Sequence, residues 1–154
     1  FAQFAVNDPL PPLPFPSRTF DLIYAASVFT HLDEDFQFAW LEELQRVTKP
    51  KATLILTTHG SYALEEARQM LATHGGYVQS ELSSEDLLTL CQKGFLFKVL
   101  ETGRLKLDGL PDYYQCTYHT KQYVTSTWSR FFRIRHYVER GLDDRQDLVV
   151  LEKE

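Results

Sequence analysis

The sequence predicts an α/β domain with a mostly parallel sheet that ends in a C-terminal antiparallel hairpin. Three observations carry this. Leu22 to Ala26 (LIYAA) is a continuous apolar run, as in a strand covered on both faces. A helical pattern and a second β-branched run, Thr53 to Thr58 (TLILTT), follow within about 40 residues, the spacing of a right-handed parallel crossover. Two further β-rich runs, Phe131 to Glu139 and Asp147 to Glu152, flank RGLDDRQ, whose glycine and aspartates suit a hairpin.

Size and composition fit one core. The 154 residues are 44% hydrophobic and 14% aromatic, so residues 1–154 are expected to form a single domain. A net charge of -5 argues against binding a phosphate backbone, which needs clustered Lys and Arg; the local run Arg130 to Arg135 is the one basic patch of note. Cys91 and Cys116 show no metal-ligand spacing, so neither a disulfide framework nor a metal site is expected, and a reducing, cytoplasmic setting fits. No apolar run approaches the roughly 20 residues that span a bilayer, so no membrane is expected among the partners. The chain starts without methionine, as though cut from a longer protein.

In chain order, Phe1 to Val6 is apolar enough for a short strand, and PLPPLPFP then forbids helix and favours extended backbone. Ser17-Arg18-Thr19 makes a polar turn before the Leu22 strand. Asp33, Glu34 and Asp35 mark a helix start, where carboxylates meet unpaired amides and the positive dipole end. Phe36, Trp40, Leu44 and Val47 then share a face, with Glu42, Glu43 and Arg46 elsewhere, and Pro50 stops the helix. Ser61 opens a further helix, with Ala63, Leu64, Ala67, Met70 and Leu71 as its apolar set and Gly75-Gly76 as its end. Ser83 and Asp86 have capping-box spacing for a helix over Ser84 to Lys93, ended by Gly94. A strand follows within Gly94 to Gly103. Residues 104–118 read as a surface excursion, within a variable region spanning 77–118. His119 to Trp128 has helical character, with Tyr123 and Val124 facing Thr127 and Trp128. Trp40 and Trp128 are expected in the core.

Three phrases together resemble the C-terminal part of a class I S-adenosylmethionine-dependent methyltransferase of type 11 or 12. LPFPSRTFDLIYAASVFTHL (Leu13 to Leu32) resembles the passage into that family's fourth strand and its functional loop. LEELQRVTKPKATLIL (Leu41 to Leu56) resembles the next helix, the Lys-Pro turn and the fifth strand; QDLVVLEK (Gln146 to Lys153) resembles the last strand. The resemblance implies a partial Rossmann-like sheet: in a full order of 3-2-1-4-5-7-6 the first two strands are missing here, which leaves a gap between Phe1 to Val6 and the Leu22 to Ala26 strand. It also implies S-adenosylmethionine as cofactor and a small-molecule acceptor. Two departures stand out. The family's Gly-Gly after the Lys-Pro turn is replaced by Lys51-Ala52, so that turn is expected to avoid positive φ. The glycine-rich loop after the first strand and the acidic residue ending the second are missing from these 154 residues, so weak or absent cofactor binding by this chain is expected. Without those strands the Leu22 strand becomes an exposed apolar edge, which could pair with a second copy in a homodimer.

By the same resemblance, Ala26 and Ser27 flank the methionine end of the cofactor, and Asn7, Asp8 and Leu10 approach its adenine. Phe29, His31, His59 and Tyr118 are the substrate-side candidates. Each has a plain structural reading as well: turn chemistry for Asn7 and Asp8, capping by Ser27 and Thr30, packing for His31. No catalytic dyad is visible, and none is required where transfer rests on holding the acceptor in line. The rival from another class is a non-catalytic methyltransferase-like domain that serves self-association or protein binding.

Overall fold

The computed structural model describes residues 2, 4–66, 82–99 and 114–154. Its main sheet has four strands: β1 (Phe20–Ala25), β2 (Thr48–Thr58), β5 (Arg133–Leu142) and β6 (Gln146–Glu152), in the order β1-β2-β6-β5. This matches the family order from its fourth strand onward, 4-5-7-6, whereas the third strand expected of Phe1 to Val6 is not part of the described sheet. β1 and β2 are parallel, and β6 is antiparallel to both β2 and β5. Three of the four strands therefore point one way, and β6 alone is reversed.

Helix α1 (Glu34–Val47) connects β1 to β2. Asp33 is its N-cap and accepts from the Phe36 N–H, and Glu34 and Asp35 fill the first turn. The buried stripe is Gln37, Leu41, Leu44 and Val47, one residue round from the expected face. Phe36 and Trp40 flank it half-buried, because the helix turns a polar residue, Gln37, inward to satisfy carbonyls behind β1. Glu43 also departs from expectation. It is buried and accepts from Leu13 N–H at 2.7 Å, while Arg46 donates to Glu43, Phe15 O and Leu13 O. That pair clamps the proline-rich segment onto α1.

The helix ends where Thr48 Oγ1 and N–H both reach Leu44 O, two residues ahead of Pro50. Lys51 has φ +66, contrary to the expectation that a non-glycine turn avoids positive φ. Its N–H donates to Lys153 O at 2.8 Å, and Lys153 N–H returns to Ala52 O, so pairing with the chain end imposes the left-handed conformation.

A second unit contains α2 (Ser84–Lys93), β3 (Phe95–Lys98) and β4 (Cys116–His119), with β3 and β4 antiparallel. The Ser83/Asp86 capping box forms and Gly94 takes the left-handed cap, as predicted. The excursion is corrected at its end: residues 116–118 are a fully buried strand, because Cys116 to His119 find ladder partners in Phe95 to Lys98. The last helix, α3 (Lys121–Trp128), accordingly begins after a Thr120 cap and not at His119. Residues 61–66 are helical; the rest of that predicted helix, with Gly75-Gly76, lies outside the described residues, as do 100–113.

Residues 4–6 form no strand. Phe4 and Val6 are exposed, and an isolated strand has no ladder for its N–H and C=O groups. β5 runs on to Leu142 through two register shifts, so the hairpin turn is tighter than RGLDDRQ implied, whereas Phe131 and Phe132 precede the strand. The core packs Leu41 and Leu44 of α1 and Val124 and Trp128 of α3 against Leu54, Leu56, Val149 and Leu151. Alternation puts Leu22 and Tyr24, paired with Thr53 and Ile55, on the sheet's opposite face, where they are 59% and 57% exposed.

Candidate functional site

At the carboxyl end of β1 the chain turns sharply at Ser27, whose φ is +56. Its N–H donates to Thr57 Oγ1 and its Oγ accepts from Gln146 Nε2, both at 2.8 Å, so β2 and β6 hold it from two sides. Ser27 Oγ acts only as acceptor there, which leaves its own O–H to donate. The next residues curl back, with His31 N–H donating to Val28 O.

This loop is bound to the segment entering β4. Gln115 N–H donates to His31 O, Thr117 N–H to Thr30 O, and Thr117 Oγ1 to Leu32 O. His119 N–H donates to His59 O beyond the end of β2. Three segments far apart in sequence thus bring His31, His59, Tyr114, Tyr118 and His119 together. The His31 and His59 rings lie edge to face at 6.0 Å, Tyr114 stacks on His31 at 4.5 Å, and Tyr118 lies 5.6 Å from His59.

The tautomers follow from the partners. His31 Nδ1 lies 2.7 Å from Gln115 O, which can only accept, so Nδ1 carries the proton and Nε2 the lone pair. Gln37 points its amide nitrogen at Phe29 O and Leu32 O, so its oxygen meets His119 Nε2 at 3.1 Å, and there Nε2 carries the proton. Burial, with the neighbouring His31 and Arg145 charges, pushes His59 down to about 3, and burial beside His59 brings His119 to about 3. Burial also lowers His31, although its bond to Gln115 works the other way. These imidazoles are neutral near pH 7. Thr30 Oγ1, Thr58 Oγ1 and Nδ1 of both His59 and His119 are buried without a hydrogen-bond partner.

Of the substrate-side candidates, His31, His59 and Tyr118 are brought together. Phe29 is not. It is 1% exposed and packs edge to face on Trp128 in the core, which corrects its placement on the substrate side: the loop's curl turns its ring inward. Trp128 is core as expected, whereas Trp40 is half-buried and donates to Pro9 O. On the predicted cofactor side, Ala26 and Ser27 stand at the strand end. Asn7 spends its amide on Asp8 O at 2.7 Å, and Leu10 is 47% exposed. Sequence reading missed Gln115, Gln37, Thr57 and Gln146, since nothing local marks a residue whose partner is dozens of positions away. Among the described residues, no group of three His, Cys, Asp or Glu side chains could hold a metal ion, and no helix is long and apolar enough to cross a membrane.

Residues 2–56 match the family model described as a methyltransferase domain, of type 11. The chain resembles a type 11 class I methyltransferase in sequence and in fold. A solved structure from Pyrococcus horikoshii shares 14% identity with a TM-score of 0.61, over 99% of this chain and 59% of that one. A structure described as a SAM-dependent methyltransferase, from Methanosarcina mazei, shares 18% with a TM-score of 0.57, over 99% of this methyltransferase-like chain and 68% of its own. The chain therefore spans 59% and 68% of these neighbours. No curated protein matches it.

Proposed function

We propose that this chain forms the C-terminal part of an S-adenosylmethionine-dependent methyltransferase that acts on a small molecule. The observation that carries the reading is the match over residues 2–56, which contains every predicted cofactor-side residue, Asn7, Asp8, Leu10, Ala26 and Ser27. When bound, S-adenosylmethionine supplies a methyl group on a sulfonium. The residues present fit one end of it: Ser27, locked between Thr57 and Gln146 with an O–H to donate, suits a carboxylate. The ribose end has no such partner, since no glycine-rich loop or strand-ending acidic residue of that kind occurs in these 154 residues. This chain alone is accordingly cofactor-deficient. Calorimetric titration with S-adenosylhomocysteine, on this chain and on the chain with any residues that precede it in its gene, tests both statements. Binding by the longer protein only is the expected result. Binding by neither overturns the reading.

A second reading is favoured by one feature, the exposure of Leu22 and Tyr24 on an edge strand: a methyltransferase-like domain that associates with itself or another protein through β1. Concentration-dependent dimerisation in sedimentation velocity, without cofactor binding, supports this alternative.

A further inference from the structure

We infer that His31 is a general base and that the acceptor is a hydroxyl compound. The inference rests on the methyl-transfer reading and on three observations. First, the Gln115 carbonyl, 2.7 Å from Nδ1, fixes the Nδ1–H form, so the basic lone pair sits on Nε2. Second, that Nε2 has no partner among the described residues, and it is absent from the buried unpartnered atoms that include His59 and His119 nitrogens. Of the three histidines gathered here, only His31 is partly exposed; His59 is 8% and His119 2% exposed. Third, the ring is held in place, stacked on Tyr114 and edge to face with His59, so its orientation is set before an acceptor arrives.

The Gln115 carbonyl also favours the product of proton uptake. When Nε2 takes a proton the ring becomes an imidazolium, and the Nδ1–H bond to the carbonyl becomes charge-assisted. The rings packed on His31 among the described residues are those of His59 and Tyr114, which burial keeps neutral and protonated respectively near pH 7; Arg145, which acts on His59, is paired with the carboxylate of Glu66. Among the described residues no carboxylate is packed on His31 to hold it charged beforehand.

This arrangement selects the acceptor's chemistry. A carboxylate has no proton to lose, a thiol ionises readily by itself, and a neutral amine can attack first and shed its proton afterwards. A hydroxyl is the acceptor that gains most from a base acting during transfer. With S-adenosylmethionine bound, its sulfonium would supply the methyl group to the hydroxyl oxygen and keep the electron pair of the broken methyl–sulfur bond, and His31 Nε2 would take the hydroxyl proton.

Two measurements decide this. Long-range proton–nitrogen NMR of the full chain, assigned with His31→Gln, is expected to show the Nδ1–H tautomer, neutral at pH 7; an Nε2–H tautomer overturns the inference without any cofactor being present. Turnover of the gene's full-length protein is then followed as S-adenosylhomocysteine release with catechol, benzoate, a benzylic thiol and benzylamine as probes. Catechol is expected to be the best acceptor, with His31→Gln about 100-fold slower and His31→Ala restored by added imidazole. Preference for another probe, no turnover of catechol, or a His31→Ala loss that imidazole leaves untouched overturns it. S-adenosylhomocysteine binding by the same protein shows separately whether the methyl-transfer reading stands.

Discussion

The carboxylate of Asp147 fills the space in which a side chain at position 60 would stand. A Cβ on Gly60 would lie 1.8 Å from Asp147 Oδ2. Asp147 is 2% exposed and cannot swing aside freely, since Oδ2 accepts from Tyr137 O–H at 2.6 Å and Oδ1 from Arg140 N–H at 2.9 Å. The contact ties the exit of β2 to the β5–β6 hairpin, directly beside His59.

Gly60→Ala is therefore expected to destabilise the fold by roughly 2–4 kcal/mol, through loss of one or both charge-assisted bonds. Urea unfolding checks it. The cause is separable by a double-mutant cycle: in an Asp147→Ala background, which lacks the blocking carboxylate, adding Gly60→Ala should cost much less. Equal costs in both backgrounds would mean that the backbone, not Asp147, requires the glycine.

Lys51 gives a prediction of opposite sign. Its φ of +66 costs a side chain about 1 kcal/mol that glycine avoids. The turn is held by backbone bonds to Lys153 and Ala52, which glycine can also make. Lys51→Gly should raise stability by about 0.5 kcal/mol after its greater unfolded-state freedom is counted, and Lys51→Val should lower it. A denaturant midpoint that falls for both would show that the lysine side chain itself matters.

Much of this fold was legible because its signals are local or come from pattern. The cap Asp33, the Ser83/Asp86 box and the Gly94 stop are each written within four residues, and the apolar runs located the main-sheet strands, while their order came from the family resemblance. β4 was not legible, because its partners lie about twenty residues upstream and its own tyrosine-rich approach reads as loop. The same reason explains the site. His31 and His59 could be nominated from their place after parallel strands, but the carbonyl that sets the His31 tautomer comes from Gln115, across 84 positions. Phe29 shows the reverse error, since a loop residue next to a histidine was turned inward by packing against Trp128.

The clamp on the proline segment should be acid-sensitive. The Arg46 guanidinium beside Glu43, helped by the Leu13 N–H, holds the Glu43 carboxyl below its usual value despite partial desolvation. A carboxyl lowered in the folded state stabilises fully above its unfolded pKa and loses that contribution as pH falls through the folded one. The clamp should thus release only below the ordinary glutamate range near pH 4.5. Glu43→Gln should let the 9–16 segment loosen at pH 7, seen as faster amide exchange at Leu13, with little change at β6. Unchanged exchange at Leu13 would show that the Arg46 bonds to Leu13 O and Phe15 O, with the Trp40 bond to Pro9, hold the segment without the Glu43 charge.

His59 and His119 set the largest pH dependence. Both are held neutral, down to about 3, by burial, whereas an unfolded histidine titrates near 6.5. Below pH 6.5 the unfolded chain therefore binds protons that the folded one refuses, and stability is lost as pH falls from about 6.5 towards 3. The loss approaches about 1.4 kcal/mol per pH unit for each histidine. Between pH 7 and pH 5 the urea midpoint should drop clearly, by an amount that is a sizeable fraction of the stability of an ordinary domain. His59→Gln should remove about half of that slope, even where it lowers stability at pH 7, since the readout is the slope and not the midpoint. A midpoint flat from pH 7 to 5 would mean that both imidazoles reach water, and the packing of β4 against the His31 loop would have to be looser than these bonds imply.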